Sequence, residues 1–194
     1  MKFIILGCGS SMGVPRSDGY FGRCDPKNKK NYRTRCSALL KTKNEVTLID
    51  TSPDLRQQLL NNKIRKIDRV LYSHMHADQT HGINDLRVFF IQNQKPIPVY
   101  ADVPTSKFLM ESFKYCFINN NTEYPATLKL RKNKKKFFIA NGTKKICIDT
   151  ITVTNNGKTR KISKTSLDNI RSYLLYVGDE PQENNIDISN VEIS

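Results

Sequence analysis

All three histidines of the 194-residue chain fall within one ten-residue stretch, SHMHADQTHG, at positions 73–82. His74 and His76 are separated by a single residue, and Asp78 follows two places later. Imidazole nitrogens and a carboxylate oxygen are the donors that zinc and similar divalent ions prefer. Residues i, i+2 and i+4 of an extended backbone lie on one side. We therefore expect the three side chains to converge on one point.

A divalent ion at that point would give the chain hydrolytic chemistry. Such an ion polarises a phosphoryl or carbonyl oxygen and lowers the pKa of bound water toward about 7. Zinc fits the donors best, with manganese as the alternative. The competing interpretation is that His74 and His76 are ordinary loop histidines. Three histidines, a carboxylate and a glycine within ten residues, in a chain with no other histidine, favour the metal site.

The elements around the histidines predict a loop between a strand and a helix. Residues 68–73, DRVLYS, have the composition of a strand that leads directly to His74. After the histidines, Ile83, Leu86 and Phe90 recur at helical spacing. The candidate ligands should therefore lie just beyond the end of a strand.

The first fifty residues predict three strands and a long ordered loop. Residues 2–6 read as a buried strand that runs into GCGSSMGVP, where three glycines and a proline force a turn. Residues 16–35 are polar and turn-rich, and a loop of that length is uncommon without a function. Strands are expected at 37–42 and 45–50.

A helix is expected in TSPDLRQQLL, directly after the third of these strands. Ser52 is a suitable N-cap, Pro53 suits the first helical position, and Asp54 would face the positive end of the helix dipole.

The rest of the chain alternates short strands with one further helix. Strands are expected at 97–101, 127–131, 136–140, 145–153 and 172–177, and a helix at 105–116. Residues 180–194 are polar and acidic and are expected to form a frayed tail. This order predicts an α/β sandwich with helices on both faces, formed by one domain that spans residues 1–194.

The chain is strongly basic, with 32 Lys and Arg against 18 Asp and Glu and a net charge of +14. Such a balance favours anionic partners such as phosphodiesters or nucleic acid. The alternative is that the excess lysines are scattered and only solvate the surface.

Two further features bear on the compartment. No run approaches the roughly 20 apolar residues that a membrane span requires. Five cysteines, an odd number without a CxxC pair, argue against a disulfide framework and for the reducing cytoplasm.

Five segments together resemble a known family. SHMHADQTHG resembles the HxHxDH signature of metallo-β-lactamase-fold hydrolases. GCGSSMGVP, DPKNKKNYRTRCS, IDTSPDLRQQLL and HADQTHGINDLR resemble the branch of phosphoribosyl cyclic phosphate phosphodiesterase-like proteins, which is similar to transfer-RNA 3′-processing endonucleases. The resemblance is strongest over residues 1–101. It implies an αββα sandwich that hydrolyses phosphodiesters with a metal-bound hydroxide, with RNA or a cyclic phosphate as candidate substrates.

The resemblance also implies roles for individual residues. His74 and His76 would bind the first metal, and Asp78 would bind the second and orient the attacking water as the catalytic residue. Three residues would support the site: Asp50 behind the histidine loop, His81 by hydrogen bonding nearby, and Gln79. Four would bind substrate: Ser10 and Ser11 at the mouth, and Arg33 and Arg35 by holding a phosphate through their forked donors.

The sequence departs from the family pattern at several ligand positions. Gln79 stands where the family has a histidine, and an amide oxygen is a weaker zinc donor than imidazole. No histidine follows His81, which leaves Asp179 as the candidate for the later bridging carboxylate. The family also usually continues beyond the point where this chain ends, so we expect shortened C-terminal elements.

Three hypotheses follow. The first is a phosphodiesterase-like hydrolase that binds one divalent ion instead of two and has reduced activity. The second is a non-catalytic RNA-binding module, favoured by the lysine-rich stretch at 132–136, Arg131 and the basic residues at 158–161. The third is a remnant that folds with a partner, such as a second copy of itself.

Overall fold

A six-stranded sheet forms the frame of the molecule in the computed structural model, and its spatial order follows the chain. The strands are β1 (Lys2–Gly7), β2 (Ser37–Lys41), β3 (Val46–Ile49), β4 (Arg69–Leu71), β5 (Ile97–Tyr100) and β6 (Leu128–Arg131). β1, β2 and β3 pair antiparallel, whereas β3, β4, β5 and β6 pair parallel. The sequence-predicted α/β class is confirmed.

The structure describes residues 1–119 and 125–131, together with the backbone of four later strands. Those strands form two antiparallel pairs, β7 (Phe137–Asn141) with β8 (Lys144–Ile148) and β9 (Thr150–Asn155) with β10 (Lys158–Ser163). The strand predicted at 145–153 is thus assigned as parts of two strands, and β10 was not predicted. The strand predicted at 172–177, the tail predicted at 180–194 and the basic turn at 132–136 lie outside the described residues.

Helices fill the connections between the strands. They are α1 (Leu55–Asn61), α2 (Ala77–Thr80), α3 (Arg87–Asn93), α4 (Val103–Ser112) and α5 (Lys114–Phe117), with 3-10 turns at Lys29–Asn31 and Ile83–Leu86. The single helix predicted at 105–116 is divided, because the backbone of Phe113 leaves the helical region between α4 and α5.

Both faces of the sheet bury apolar side chains. Leu39 points into the larger core with Leu55 and Leu109, which come from α1 and α4. Its neighbours on β2, Ala38 and Leu40, belong to a smaller cluster. This alternation follows from the two-residue period of a strand.

The helix predicted from TSPDLRQQLL starts later than its capping residues indicate. Ser52 Oγ accepts a hydrogen bond from the Asp54 amide, and the Leu55 amide donates to the Ser52 carbonyl, so this segment is a turn that precedes α1. The Asp54 carboxylate makes no helix-capping hydrogen bond, because it is held by Arg35.

The parallel strands bring three chain segments to one edge of the sheet. Asp50 follows β3, Ser73 follows β4 and Ala101 follows β5, and the carboxyl ends of parallel strands meet at the same edge. Backbone bonds extend this alignment past the strands, from the Asp50 amide to the Leu71 carbonyl and from the Tyr72 amide to the Tyr100 carbonyl, both 2.9 Å.

Gly82 allows the segment after α2 to approach the end of β3 closely. A Cβ atom at this position would lie 2.0 Å from the Ser52 carbonyl oxygen and 2.9 Å from the Leu55 Cβ. Its amide donates to the Thr51 carbonyl at 2.9 Å. A side chain here would therefore push the histidine loop away from the sheet.

None of the helices in the described part of the chain is long and apolar enough to cross a lipid bilayer.

Candidate metal centre

The chain brings His74, His76 and Asp78 together beyond the end of β4. One donor atom from each side chain lies within 4.8 Å of the donors of the other two. The extended path ends at His76, which is the residue before α2 and has φ −66° and ψ 155°. Asp78 is in the first turn of α2. Convergence therefore arises from a strand-to-helix turn, and the prediction that Asp78 continues an extended segment was wrong.

Burial differs across the three residues. Asp78 is 8% exposed, His74 is half-buried and His76 is exposed. The two imidazole rings meet edge to face, with centroids 4.5 Å apart and planes at 75°. The site therefore has a buried carboxylate at its base and an imidazole open to solvent.

These donors fit a divalent ion such as zinc. Bonds of about 2.0–2.2 Å in tetrahedral geometry place ligand atoms roughly 3.3–3.6 Å apart. The separations of at most 4.8 Å would need only a small contraction around an ion to reach that spacing. Two imidazoles and one carboxylate form a donor set found in catalytic zinc sites, which keep a position open for water or substrate.

Ser73 links His74 to the buried Asp50. The Asp50 carboxylate accepts hydrogen bonds from the Ser73 amide and from Ser73 Oγ, both at 2.7 Å. Ser73 Oγ lies 2.9 Å from His74 Nδ1. The Ser73 hydroxyl has one proton, and it donates that proton to Asp50. The Ser73 oxygen can therefore only accept from His74, so Nδ1 of His74 carries a hydrogen. The Nε2 atom of His74 then has the lone pair that a metal requires.

Asp50 occupies this position through a left-handed backbone conformation, with φ 59°. Few residue types adopt this conformation readily, and aspartate is among them because its short polar side chain bonds locally. The residue is 2% exposed. Sequence reasoning identified Asp50 but missed Ser73, whose only signal was its place between a buried strand and a histidine.

Thr51 fixes the turn that carries Asp78. Its amide donates to the Gln79 carbonyl at 2.7 Å, and its hydroxyl donates to the Thr80 carbonyl at 3.0 Å. Tyr72 OH lies 2.8 Å from Thr51 Oγ1 and donates to it, since the Thr51 proton is already used. Burial raises the pKa of the Tyr72 phenol far above its ordinary value. Sequence reasoning missed both Thr51 and Tyr72.

Gln79 and His81 flank the candidate ligands in different ways. Gln79 is buried, and its Nε2 atom donates to Asp78 Oδ2 at 2.7 Å. His81 is exposed, its Nδ1 atom lies 3.1 Å from Thr80 Oγ1, and its ring packs edge-on against Phe113. Neither residue belongs to the converging group of donors.

A cavity of about 640 Å³ lies between the glycine-rich loop and the segment before β2. Two antiparallel hydrogen bonds between Val14 and Arg33, of 2.7 and 3.0 Å, hold these segments together. Arg33 and Arg35 line the cavity. The predicted substrate-binding Ser10 and Ser11 are in the adjoining loop, where Ser10 Oγ donates to the Gly13 carbonyl and Ser11 is exposed.

The Arg35 guanidinium is engaged by a carboxylate. It donates to both oxygens of Asp54, at 2.9 and 2.6 Å, and the Arg35 amide donates to Asp54 Oδ2 at 2.9 Å. These bonds hold the pKa of Asp54 below its ordinary range and raise the pKa of Arg35. The charge of Asp78 also contributes to the raised pKa of Arg35, so the arginine lies within electrostatic range of the candidate ligands.

The fourth predicted ligand, Asp179, lies outside the described residues, so its distance from His74, His76 and Asp78 is not defined.

Curated proteins match parts of the chain, among them an octanoyltransferase and a ribonuclease Z. An octanoyltransferase of Porphyromonas gingivalis is 37% identical over 128 residues, which are 66% of this chain and 25% of that protein. A ribonuclease Z of Limosilactobacillus reuteri is 26% identical over 97 residues, 48% of this chain and 31% of that protein. The chain thus spans between a quarter and a third of the length of these relatives.

Solved structures show the same fold. A diphosphatase from the PhnP family is 28% identical with a TM-score of 0.60, and the match covers 82% of this chain and 59% of that one. The zinc-bound PqqB from Methylobacterium extorquens is 20% identical with a TM-score of 0.51, over 72% of this chain and 48% of that one. A family model described as beta-lactamase superfamily domain matches residues 46–177, more than half of the chain. The chain therefore belongs to the beta-lactamase superfamily and has the metallo-β-lactamase fold.

Proposed function

We propose that this chain hydrolyses phosphodiesters with the help of one divalent ion held by His74, His76 and Asp78. The observation that carries the proposal is the convergence of their three donor atoms within 4.8 Å. The matches to a diphosphatase and to a ribonuclease Z support a phosphate-containing substrate. Zinc is the proposed metal, with manganese as the alternative, because two imidazoles and a carboxylate suit borderline ions.

We expect each residue of the site to have a different role in the reaction, set by its burial and its hydrogen-bond partners. When bound, the ion supplies a Lewis acid that polarises a phosphoryl oxygen and lowers the pKa of water. Asp78 has a buried carboxylate that can orient water and accept its proton. Ser73 and Asp50 hold His74 in the tautomer that presents Nε2. The exposed side of His76 leaves the site open to substrate.

The arginine-lined cavity is the proposed site for the rest of the substrate. Its charged lining consists of Arg16, Arg33, Arg35, Asp18 and Asp54, which gives a net charge of +1. A phosphodiester carries one negative charge and matches this balance. Arg33, Ser10 and Ser11 are the proposed phosphate contacts. Arg35 would attract the phosphate mainly through its positive charge, because its guanidinium already donates hydrogen bonds to both oxygens of Asp54.

A single ion is proposed because the position expected for a second-metal histidine holds Gln79, and no histidine follows His81. Asp179 remains the proposed fourth ligand. Loss of one ion removes the stabilisation of either the attacking or the leaving oxygen, so we expect reduced activity compared with two-metal relatives.

The test compares two exposed histidines in the same loop. Protein purified without chelator should contain about one zinc per chain by elemental analysis and should hydrolyse bis(p-nitrophenyl) phosphate slowly. His76→Ala should lose most of the metal and the activity. His81→Ala is the control and should retain both, because His81 contacts Thr80 and Phe113 and is not one of the converging donors. Two ions per chain, no ion, or unchanged activity in His76→Ala would contradict the proposal.

A second candidate function is RNA binding without cleavage, favoured by the net charge of +14 and the match to a ribonuclease Z. Binding through phosphate contacts should weaken by orders of magnitude when salt rises from 50 to 200 mM, if about six or more phosphates are contacted. Filter binding with single-stranded RNA at several salt concentrations tests this. Binding that does not change with salt would exclude it.

We also propose a reducing cytoplasmic location and keep the homodimer as a hypothesis. Cys8, Cys24, Cys36 and Cys116, the cysteines in the described part of the chain, form no disulfide with one another. A melting temperature that rises with protein concentration would support the homodimer.

A further inference from the structure

Gln79 has an unusual pairing for a buried polar residue. It is 1% exposed, and its Nε2 atom donates to Asp78 Oδ2 at 2.7 Å. An ionised carboxylate only accepts hydrogen bonds, so Gln79 must direct its NH₂ group at Asp78. Its Oε1 atom is then buried without a hydrogen-bond partner among the described residues.

The backbone gives Gln79 little freedom to adopt another position. Its amide donates to the His76 carbonyl at 3.0 Å, and its carbonyl accepts from the Thr51 amide at 2.7 Å. The residue is thus tied on one side to a candidate ligand and on the other to the end of the sheet. Its side chain is directed by the same turn that positions Asp78.

The unpaired Oε1 atom offsets part of the stability that a glutamine provides at this position. A buried acceptor without a partner destabilises the folded state, and a leucine of similar size would avoid that penalty. The hydrogen bond to Asp78 is the contact that a leucine could not replace. The role of Gln79 should therefore lie in what it does to the carboxylate.

We propose that Gln79 is a positioning residue that fixes the rotation of the Asp78 carboxylate, so that the aspartate offers one oxygen to a single ion. The side chain also fills the place where the resemblance puts an imidazole for a second ion. Partners of this kind fix ligand orientation, and their loss typically weakens metal affinity about 10- to 100-fold. The inference rests on the proposed function, because it takes His74, His76 and Asp78 as the ligands.

The experiment compares two buried glutamines that both have an unpartnered Oε1. Gln58 on α1 is also 1% exposed, and its amide donates to Thr34 Oγ1 and to the Arg35 carbonyl. Zinc affinity is measured by competition with a chromophoric chelator for the natural protein, Gln79→Leu and Gln58→Leu. We expect the Kd for zinc to be 10- to 100-fold higher in Gln79→Leu and to change by less than about twofold in Gln58→Leu.

Two further measurements separate positioning from a structural role. The melting temperature of metal-free Gln79→Leu should differ little from that of the natural protein, because removal of the unpaired acceptor offsets the loss of the hydrogen bond to Asp78. The visible spectrum of the cobalt-substituted protein should change in Gln79→Leu, since a carboxylate free to rotate alters the coordination of the ion. Should Gln79→Leu fail to fold, Gln79→Met retains the unbranched shape and is expected to weaken zinc binding in the same way.

The outcomes distinguish this inference from the proposed function. If the natural protein bound no zinc, both the proposed function and this inference would be contradicted. One zinc per chain in the natural protein, bound with equal affinity by Gln79→Leu, would overturn this inference alone. Two zinc ions in the natural protein would contradict the single-ion role of Gln79.

Discussion

The surroundings of the His-His-Asp group and the walls of the arginine-lined cavity are built from different interactions. Beneath the histidine loop, Asp50, Thr51, Tyr72 and Ser73 are buried. Tyr72 is hydrogen-bonded to Thr51 at 2.8 Å, and the Ser73 amide and hydroxyl donate to Asp50 at 2.7 Å. We call these four residues the buried floor. On the cavity side, the segment 12–35 is mostly half-buried or exposed and consists largely of turns.

The cavity side is held together by charge and by turns. Arg16 pairs with the exposed Asp18 and lies over the Tyr20 ring at 4.7 Å, and Arg35 pairs with Asp54. Water competes for exposed ion pairs, so they add little to stability, whereas an unpaired group in a buried network is costly. The buried floor should therefore tolerate few substitutions, and the cavity side should tolerate many.

The largest difference in stability is expected between alanine substitutions at two glycines, Gly82 beside the buried floor and Gly19 on the cavity side. Gly82→Ala would place a Cβ 2.0 Å from a backbone oxygen beside Thr51, and overlap of this kind should cost about 3–5 kcal/mol of the free energy of unfolding. Gly19→Ala introduces a side chain into open space, and only the φ of +82° opposes the change. We expect it to lower the free energy of unfolding by about 1–2 kcal/mol. Urea denaturation measures both, and equal losses would contradict the comparison.

A smaller loss is expected when the buried floor loses its carboxylate. Asp50→Ala leaves the Ser73 amide and hydroxyl without their acceptor and places alanine at a φ of 59°. The expected loss is about 2–4 kcal/mol, with weaker zinc binding because His74 loses its support. Asp50→Asn is the control, since asparagine tolerates this backbone and keeps one acceptor. A loss below about 1 kcal/mol in Asp50→Ala would argue against a rigid floor.

The cavity side should respond mainly through one half-buried ion pair. Asp54→Asn removes the charge that Arg35 engages and should cost about 1–2 kcal/mol at pH 7. The pKa of Asp54 is depressed in the folded state, so its stabilisation is present above its unfolded pKa of about 3.9 and is lost as pH falls through the folded value. The difference in unfolding free energy between the natural protein and Asp54→Asn should therefore shrink below about pH 4.

Asp18→Asn provides the matched control for this pair. Its carboxylate also engages an arginine, but both side chains are more than one-third exposed. We expect no measurable change in unfolding free energy at any pH where the protein is folded. If Asp18→Asn lowered the unfolding free energy as much as Asp54→Asn does, burial would not explain why the two ion pairs contribute differently to stability.

The sequence allowed the convergence of His74, His76 and Asp78 to be predicted because the three residues are close together in the chain. Two histidines and an aspartate within five residues are sufficient to indicate a site, and the strand before them indicates where it lies. The path of the chain was harder to predict, since the start of α2 at Ala77 depends on Thr51 and its bonds to the Gln79 and Thr80 carbonyls. Residue types near Asp78 do not encode that long-range contact.

The partner of Arg35 on the cavity side was not predicted, for the same physical reason. Arg35 was expected to be available for a phosphate, but it pairs with Asp54, nineteen positions away in the chain. Asp54 itself was expected to face the end of α1. Ion pairs between separate segments depend on the fold, so composition and spacing do not reveal them. The predicted roles of Asp179 and of a single domain over residues 1–194 remain predictions.

The buried phenol of Tyr72 gives the molecule an internal optical reporter. The chain contains eight tyrosines and no tryptophan, so absorbance near 295 nm in an alkaline titration follows phenolate formation by tyrosine alone. Tyr72 should release its proton only when base disrupts its surroundings. The appearance of the Tyr72 phenolate would thus mark the pH at which the hydrogen bond between Tyr72 and Thr51, beneath the histidine loop, is lost.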